Sequence, residues 1–146
     1  MRVMLIGTLM IAVTLAIHAS GSAHWLGFVG KRHAHRKSSE QTLHLTVDIL
    51  STGMVLLTLH FFEAWLWALL YTVLPSQAGL SSSGEAAYFS LVSFTTLGYG
   101  DVMLSPQWEL LGPMEAMAGI TVIGLTTALL FAVIQRSWKI GHAKKP

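Results

Sequence analysis

A short segment with two spaced glycines carries the residues whose types and spacing could do chemistry. Gly98 and Gly100 can take the left-handed φ that turns successive carbonyl oxygens towards one axis, a conformation that is costly for residues with a Cβ. Such a row of carbonyls can replace the water around a desolvated cation. The hydroxyl of Thr96 can add an innermost oxygen ligand. The whole segment reads Thr95-Thr96-Leu97-Gly98-Tyr99-Gly100-Asp101, and we call it the glycine segment.

The side chains of this segment have a supporting role in this interpretation. Leu97 and Tyr99 would point away from the cation and wedge the backbone against its surroundings. A plain Gly-Tyr-Gly-Asp turn on a surface loop is the alternative. The double threonine and the trailing aspartate, placed between two long apolar segments, favour the cation site. The predicted ligands are the main-chain oxygens of Thr96, Leu97, Gly98 and Tyr99, with Gly100 completing the row and Thr95 and Asp101 supporting it.

The composition places the chain among membrane proteins. Apolar residues make up 53% of its 146 residues and charged residues 11%, which is typical of a single membrane domain. The absence of cysteine excludes disulfides and thiolate metal sites. A net charge of only +2 does not indicate a nucleic-acid surface. No nucleophile triad, phosphate loop or paired-carboxylate site occurs, so the sequence predicts neither an enzyme nor a cofactor.

The positions of the basic residues predict the orientation in the membrane. Apart from Arg2, every Lys and Arg lies in residues 31–37 or at and beyond Arg136. Cytoplasmic loops carry such basic clusters, so two spans should lie between them, with residues 75–105 reached from outside. We expect a multi-pass protein of the plasma (inner) membrane, with residues 95–101 opening outside and the C-terminus in the cytoplasm. The basic loop and tail are suited to anionic lipid headgroups.

A short helix is predicted immediately before the glycine segment. Ser82 and Glu85 have capping-box spacing, and about a dozen mostly apolar residues follow them. Because a helix needs roughly 20 residues to cross a bilayer, this one should be only half inserted. The negative end of its dipole would then favour a cation beneath the glycine segment.

The N-terminal apolar segment, residues 3–29, allows three interpretations. A charged start and a short apolar run ending at Ala19 or Ala23 are typical of a signal peptide. Cleavage would leave the basic cluster outside and invert the predicted orientation, so we expect an uncleaved span, with a partly inserted interfacial helix as the fallback. The segment lacks repeated arginines, so it is not a voltage sensor.

The order of the elements resembles the pore module of prokaryotic two-span potassium channels. The resemblance covers about residues 43–137 and is most specific at residues 95–101, which are similar to the potassium selectivity filter Thr-Val-Gly-Tyr-Gly-Asp. A second match is Ala118-Gly119-Ile120-Thr121-Val122-Ile123-Gly124-Leu125-Thr126-Thr127-Ala128, which is similar to the inner helix of that family.

The resemblance implies an all-α integral membrane fold. We expect an extra N-terminal segment at 1–30, a basic cytoplasmic loop at 31–41, a pore domain at 42–138 and a basic tail at 139–146. The pore domain would comprise an outer helix at 42–74, a turret at 75–82, a pore helix at 83–95, a filter at 96–101 and an inner helix at 107–136. With so short a tail, no cytosolic ligand-binding domain is expected.

The resemblance also implies passive potassium conduction, with potassium at Thr96 to Tyr99 as the permeant ion. One filter per chain requires four chains around the ion, so a homotetramer is expected, and related subunits are an alternative. Leu97 stands at the valine position, so a weakly selective monovalent cation channel is a second possibility. Tyr88 and Phe89 replace a tryptophan pair found in many relatives, and the Tyr88 hydroxyl could hold Asp101.

By the same likeness, Gly119 occupies a hinge position, and Thr127 and Ile123 would face the aqueous cavity. Packing is the alternative role for Gly119, because glycine is frequent in membrane helices. 

Ionisable residues inside the spans are costly and normally paired or functional. His60, Glu63 and Glu115 have similar predicted depths and should gather behind the pore helix, either as a structural cluster or as a proton-sensitive gate. His18, His24, His33 and His35 suggest a hypothesis of a different class, a non-conducting, metal-responsive membrane module. The cations around His33 and His35 disfavour it.

Overall fold

Four helices form the part of the chain that the computed structural model describes, which is residues 1–34, 41–74 and 79–142, with side chains for 1–32, 43–74 and 79–135. In chain order they are α1 (Arg2–Ala34), α2 (Gln41–Val73), α3 (Ser83–Phe94) and α4 (Leu111–His142). Three of them, α1, α2 and α4, are long and apolar enough to cross a bilayer. The all-α membrane fold predicted from the sequence is confirmed.

The N-terminal helix α1 packs against α2 through a series of polar contacts between antiparallel helices. The Trp67 indole donates to Thr14 at 3.0 Å, and the Trp25 indole donates to Thr52 at 3.0 Å. Nearer the C-terminal end of α1, Arg32 forms an ion pair with the buried Asp48. The extra N-terminal segment is therefore an integral part of the packed helices.

The short helix α3 lies between α2 and α4. The Ser82 hydroxyl accepts the Glu85 N–H at 3.2 Å, which caps the helix as its sequence predicts. The Glu85 carboxylate accepts the N–H of Ser81 at 2.7 Å rather than that of Ser82. Among the described residues, an apolar core forms where α2, α3 and α4 meet. It includes Trp67, Tyr71, Ala86, Phe94, Leu111, Ala118 and Val122.

The inner helix starts later than the sequence predicts, at Leu111 instead of residue 107. The reason is Pro113. Its ring would clash with the carbonyl of Glu109 if the regular helix extended further upstream, whereas proline is tolerated in the first turn. The preceding residues form turns, in which Trp108 donates its N–H to the Ser105 carbonyl at 2.8 Å.

Both basic segments also differ from their predicted boundaries. The first helix continues to Ala34, so Lys31 and Arg32 belong to α1 rather than to a loop, and α4 continues to His142, past the predicted end at 136. No proline interrupts either stretch, and Lys and Arg are good helix formers. The rest of the predicted basic loop at 35–40, the first half of the turret at 75–78 and the tail at 143–146 lie outside the described residues.

Candidate functional site

In the glycine segment after α3, left-handed backbone conformations occur at every second residue. The φ angles of Thr96, Gly98 and Gly100 are 59°, 58° and 75°, so every second residue is left-handed. The two glycines occupy the positions that need this freedom. Thr96 does so as a β-branched residue, a conformation that costs on the order of 1–3 kcal/mol and clusters at functional sites.

Hydrogen bonds fix the first half of this segment to the last turn of α3. The Thr96 N–H donates to the Ser93 carbonyl at 2.9 Å. The N–H groups of Leu97 and Gly98 both donate to the Val92 carbonyl, at 2.9 and 3.2 Å. The position of the segment therefore depends on where the C-terminal end of α3 lies.

Asp101 and Tyr88 join the C-terminal end of the segment to α3. The Tyr88 hydroxyl donates to Oδ2 of Asp101 at 2.7 Å, and Oδ1 accepts the N–H of Val102 at 3.1 Å. The hydrogen bond from Tyr88 holds the pKa of the Asp101 carboxyl below its ordinary value, because it stabilises the charged form. The same bond raises the pKa of Tyr88.

The helix α4 touches the carbonyl end of α3 at Gly119. A Cβ added there would lie 1.9 Å from the Phe94 carbonyl oxygen and 2.8 Å from its carbonyl carbon. Only a glycine permits this approach of two backbones. Gly119 thus has a packing role in this conformation, and its role as a hinge stays a prediction.

The predicted cavity residues lie on an open face of α4 in the single chain. Ile123 is 39% exposed, and Thr127, also exposed, donates its hydroxyl to the Ile123 carbonyl at 3.1 Å. Their orientation towards an aqueous cavity depends on the other subunits and stays a prediction.

The three ionisable residues predicted to gather in one cluster belong to two hydrogen-bonded groups. In one group, Glu115 accepts the Tyr71 hydroxyl at 2.6 Å and lies 2.5 Å from the Ser90 hydroxyl, so it does join α4 to the pore helix. In the other, both His60 and His18 contact Glu63. The three residues therefore do not share one hydrogen-bonded group, and their gathering behind α3 stays a prediction.

The metal hypothesis predicted a site formed by histidines of the N-terminal segment, and the structure brings a different set of residues together. His18 is buried against Glu63, whereas the exposed His24 contacts the Ser20 carbonyl at 3.0 Å, and the His33 side chain and His35 lie outside the described residues. His18, His60 and Glu63 do bring ligand atoms within 4.8 Å of one another. The two imidazoles are stacked, with 13° between their planes. In this conformation the two Nδ1 atoms lie at hydrogen-bond distance from the two Glu63 oxygens.

A protein-family model for ion channels matches residues 46–136, more than half of the chain. The chain belongs to the ion channel family. The matched part of the channel starts in α2, includes α3 and the glycine segment, and ends in α4, so α1 lies outside it. No curated protein and no solved structure matches the channel at a significant level. With three candidate spans among its described residues, the channel is a multi-pass membrane protein that conducts a permeant ion and needs no cofactor.

Replacing Tyr88 with phenylalanine is expected to make the channel sensitive to acid. Because the pKa of Asp101 is lowered, its carboxylate stabilises the C-terminal end of the segment at any pH above the ordinary pKa of aspartate. This stabilisation is lost as the pH falls through the lowered pKa. Without the tyrosine donor, the loss begins at a higher pH. Ion flux from liposomes, followed from about pH 7 to about pH 4, measures this shift.

The double variant Tyr88→Phe with Asp101→Asn is the control for this prediction. If the hydrogen bond carries the effect, Tyr88→Phe adds nothing once the carboxylate has been removed. Identical acid profiles for the wild type and Tyr88→Phe would contradict the supporting role of Tyr88.

Proposed function

We propose that this channel is selective for potassium and conducts it passively through a homotetrameric pore. The observation that carries the proposal is the left-handed φ at Thr96, Gly98 and Gly100. Alternation at every second residue points successive carbonyl oxygens to one side, as replacement of the water around a potassium ion requires. Main-chain oxygens of residues 96–99 and the Thr96 hydroxyl are the proposed ligands, and Gly100 completes the row.

Exposure of the same segment in the single chain supports assembly around an axis. Leu97 and Tyr99 are 56% and 67% exposed, although both are large and largely apolar. Behind the segment lies a cavity of about 510 Å³, bordered by α3 and the start of α4 and lined in part by Val92, Gly100, Met103 and Leu110. Four copies related by a cyclic axis would bring the segments together and cover these surfaces.

The distribution of charge supports a cation as the permeant ion. Residues 38–135, which include α2, α3, the glycine segment and most of α4, contain no lysine or arginine. The exposed carboxylates of Asp101 and Glu109 lie on the predicted outer side of the segment. The negative end of the α3 dipole lies at its other side. We place the outer mouth outside the plasma membrane and the C-terminus in the cytoplasm, following the basic residues.

Replacing Gly98 with alanine is expected to abolish potassium flux from liposomes that carry the purified channel. A Cβ at Gly98 meets nothing within 4 Å in the chain, but φ is +58° there, so the backbone alone opposes alanine. The cost is about 1–2 kcal/mol in each subunit. The matched control is Gly27→Ala in α1, where a Cβ also meets nothing within 4 Å and the backbone is helical.

Wild-type flux rates in Gly98→Ala would contradict the proposed filter. Bi-ionic reversal potentials for potassium and sodium, recorded on the wild type, test the selectivity itself. Equal permeability would favour the weakly selective cation channel that Leu97 suggests.

A further inference from the structure

Four polar side chains from α1, α2 and α4 form a closed cycle of contacts inside the packed helices. His18 Nδ1 lies 3.0 Å from one Glu63 oxygen, and His60 Nδ1 lies 3.3 Å from the other. On the opposite edge of the two imidazoles, both Nε2 atoms face the Thr126 hydroxyl, at 2.9 Å from His60 and 3.3 Å from His18. We call these four residues the polar cycle.

The polar cycle needs one hydrogen more than its groups carry in their ordinary forms. An ionised Glu63 accepts two bonds, so both Nδ1 atoms must carry hydrogen, which leaves both Nε2 atoms bare when the imidazoles are neutral. The Thr126 hydroxyl has one hydrogen and can donate to only one of them. Four contacts thus share three hydrogens, and one contact sets two lone pairs against each other at a half-buried site, which is costly.

We propose that the polar cycle is a proton-binding site that takes up one proton and fastens α1 to the pore module. With one added proton, Thr126 donates to one Nε2 atom and accepts from the other, and every contact contains a hydrogen. The proton lies on one imidazole or, by transfer along a Nδ1–Glu63 contact, on the carboxyl. The net charge is then zero, the favourable state for groups buried in a membrane domain.

Among the described side chains, the contacts of the polar cycle bring no further charge to it. The titratable groups that these contacts bring together are members of the polar cycle itself: His18 on α1, and His60 and Glu63 on α2. From α3 comes only the Phe94 ring, 6.1 Å from that of His60. On α4, Glu115 is bound to Tyr71 and Ser90, and Arg32 of α1 is paired with Asp48. Residues 38–135 contain no lysine or arginine.

The site holds one proton over a limited range of pH. Loss of the proton restores the conflict at Thr126 and leaves a buried negative charge. A second proton makes both stacked imidazoles cationic, and like charges at 5.1 Å between ring centroids repel. The attachment of α1 should therefore be strongest at intermediate pH and weaken on either side, the behaviour of coupled titrating groups.

The test is the pH profile of thermal stability of the full-length protein, followed by tryptophan fluorescence, together with ion flux from liposomes. Between about pH 5 and pH 8, where histidine titrates, the wild-type stability should pass through a maximum. His18→Gln and Thr126→Val both open the polar cycle, and both should lose this maximum. His24→Gln is the matched control, because His24 is exposed on the same helix and contacts only the Ser20 carbonyl.

A wild-type profile in both His18→Gln and Thr126→Val would overturn the proposal. Stabilisation of the wild type by stoichiometric Zn²⁺, lost in His18→Gln, would also overturn it, in favour of a metal site. The stability arm does not depend on which ion permeates. A stability maximum without potassium flux would therefore retain the proton site and remove the proposed function.

Discussion

Gly119→Ala is expected to destabilise the folded channel by at least about 1–3 kcal/mol per subunit, the cost of overpacking a filled site. The added Cβ would lie 1.9 Å from the Phe94 carbonyl oxygen and 3.2 Å from its Cα, and these are backbone atoms that cannot rotate away. To make room, α4 must move away from the end of α3 to which the glycine segment is hydrogen-bonded. Thermal unfolding and ion flux of the reconstituted protein measure both consequences.

Gly124→Ala is the control for this prediction. It lies on the same helix, and its added Cβ meets nothing within 4 Å. Alanine there should be neutral or stabilise the helix by about 1 kcal/mol, because glycine is the poorer helix former. Equal tolerance of the two substitutions would show that the close approach at Gly119 is not needed.

The second large effect is expected at Glu115, which joins three elements of the pore module. Its carboxyl accepts the Tyr71 hydroxyl from α2 and contacts the Ser90 hydroxyl of α3, which also lies 2.6 Å from the Ala64 carbonyl. Glu115→Ala would leave a cavity and would remove the acceptor of the Tyr71 hydroxyl. We expect a loss of about 2–5 kcal/mol of folding free energy and of most ion flux.

Glu115→Gln should by contrast keep both stability and flux. Ser90 has one hydrogen, and a carbonyl can only accept, so the hydrogen of Ser90 points to Ala64. The contact between Ser90 and Glu115 then requires a hydrogen from an uncharged carboxyl group. A glutamine amide supplies that hydrogen and still accepts from Tyr71. If Glu115→Gln were as damaging as Glu115→Ala, Glu115 would act through its charge instead.

Much of the pore module could be predicted because its determinants are local in sequence. The capping pair Ser82 and Glu85, the short apolar run after it and the spaced glycines indicate a short helix followed by a backbone that needs positive φ. Helix boundaries were less accurate where a single residue decides them. Pro113 prevents the regular helix from extending further upstream. The predicted start of α4 at residue 107 did not take this into account.

The polar interior could not be predicted, since it depends on which helices touch. Nothing in the sequence of α1 indicates that His18 reaches Glu63, 45 residues away, or that Thr126 is shared by two imidazoles. Ser90 and Tyr71 were likewise missed as the partners of Glu115. The left-handed φ of Thr96 also had no local signal, because threonine disfavours it and only its surroundings can impose it.

By itself, the sequence determined the class of protein, the long apolar helices on either side of the glycine segment and the place of that segment. Each of these follows from composition, segment length or the conformational freedom of glycine, which are properties of neighbouring residues. Tertiary structure alone decided that α1 joins the pore module, that Gly119 lies against Phe94, and that the ionisable residues divide into two groups. These are contacts between residues far apart in the chain, and they exist only once the helices have packed.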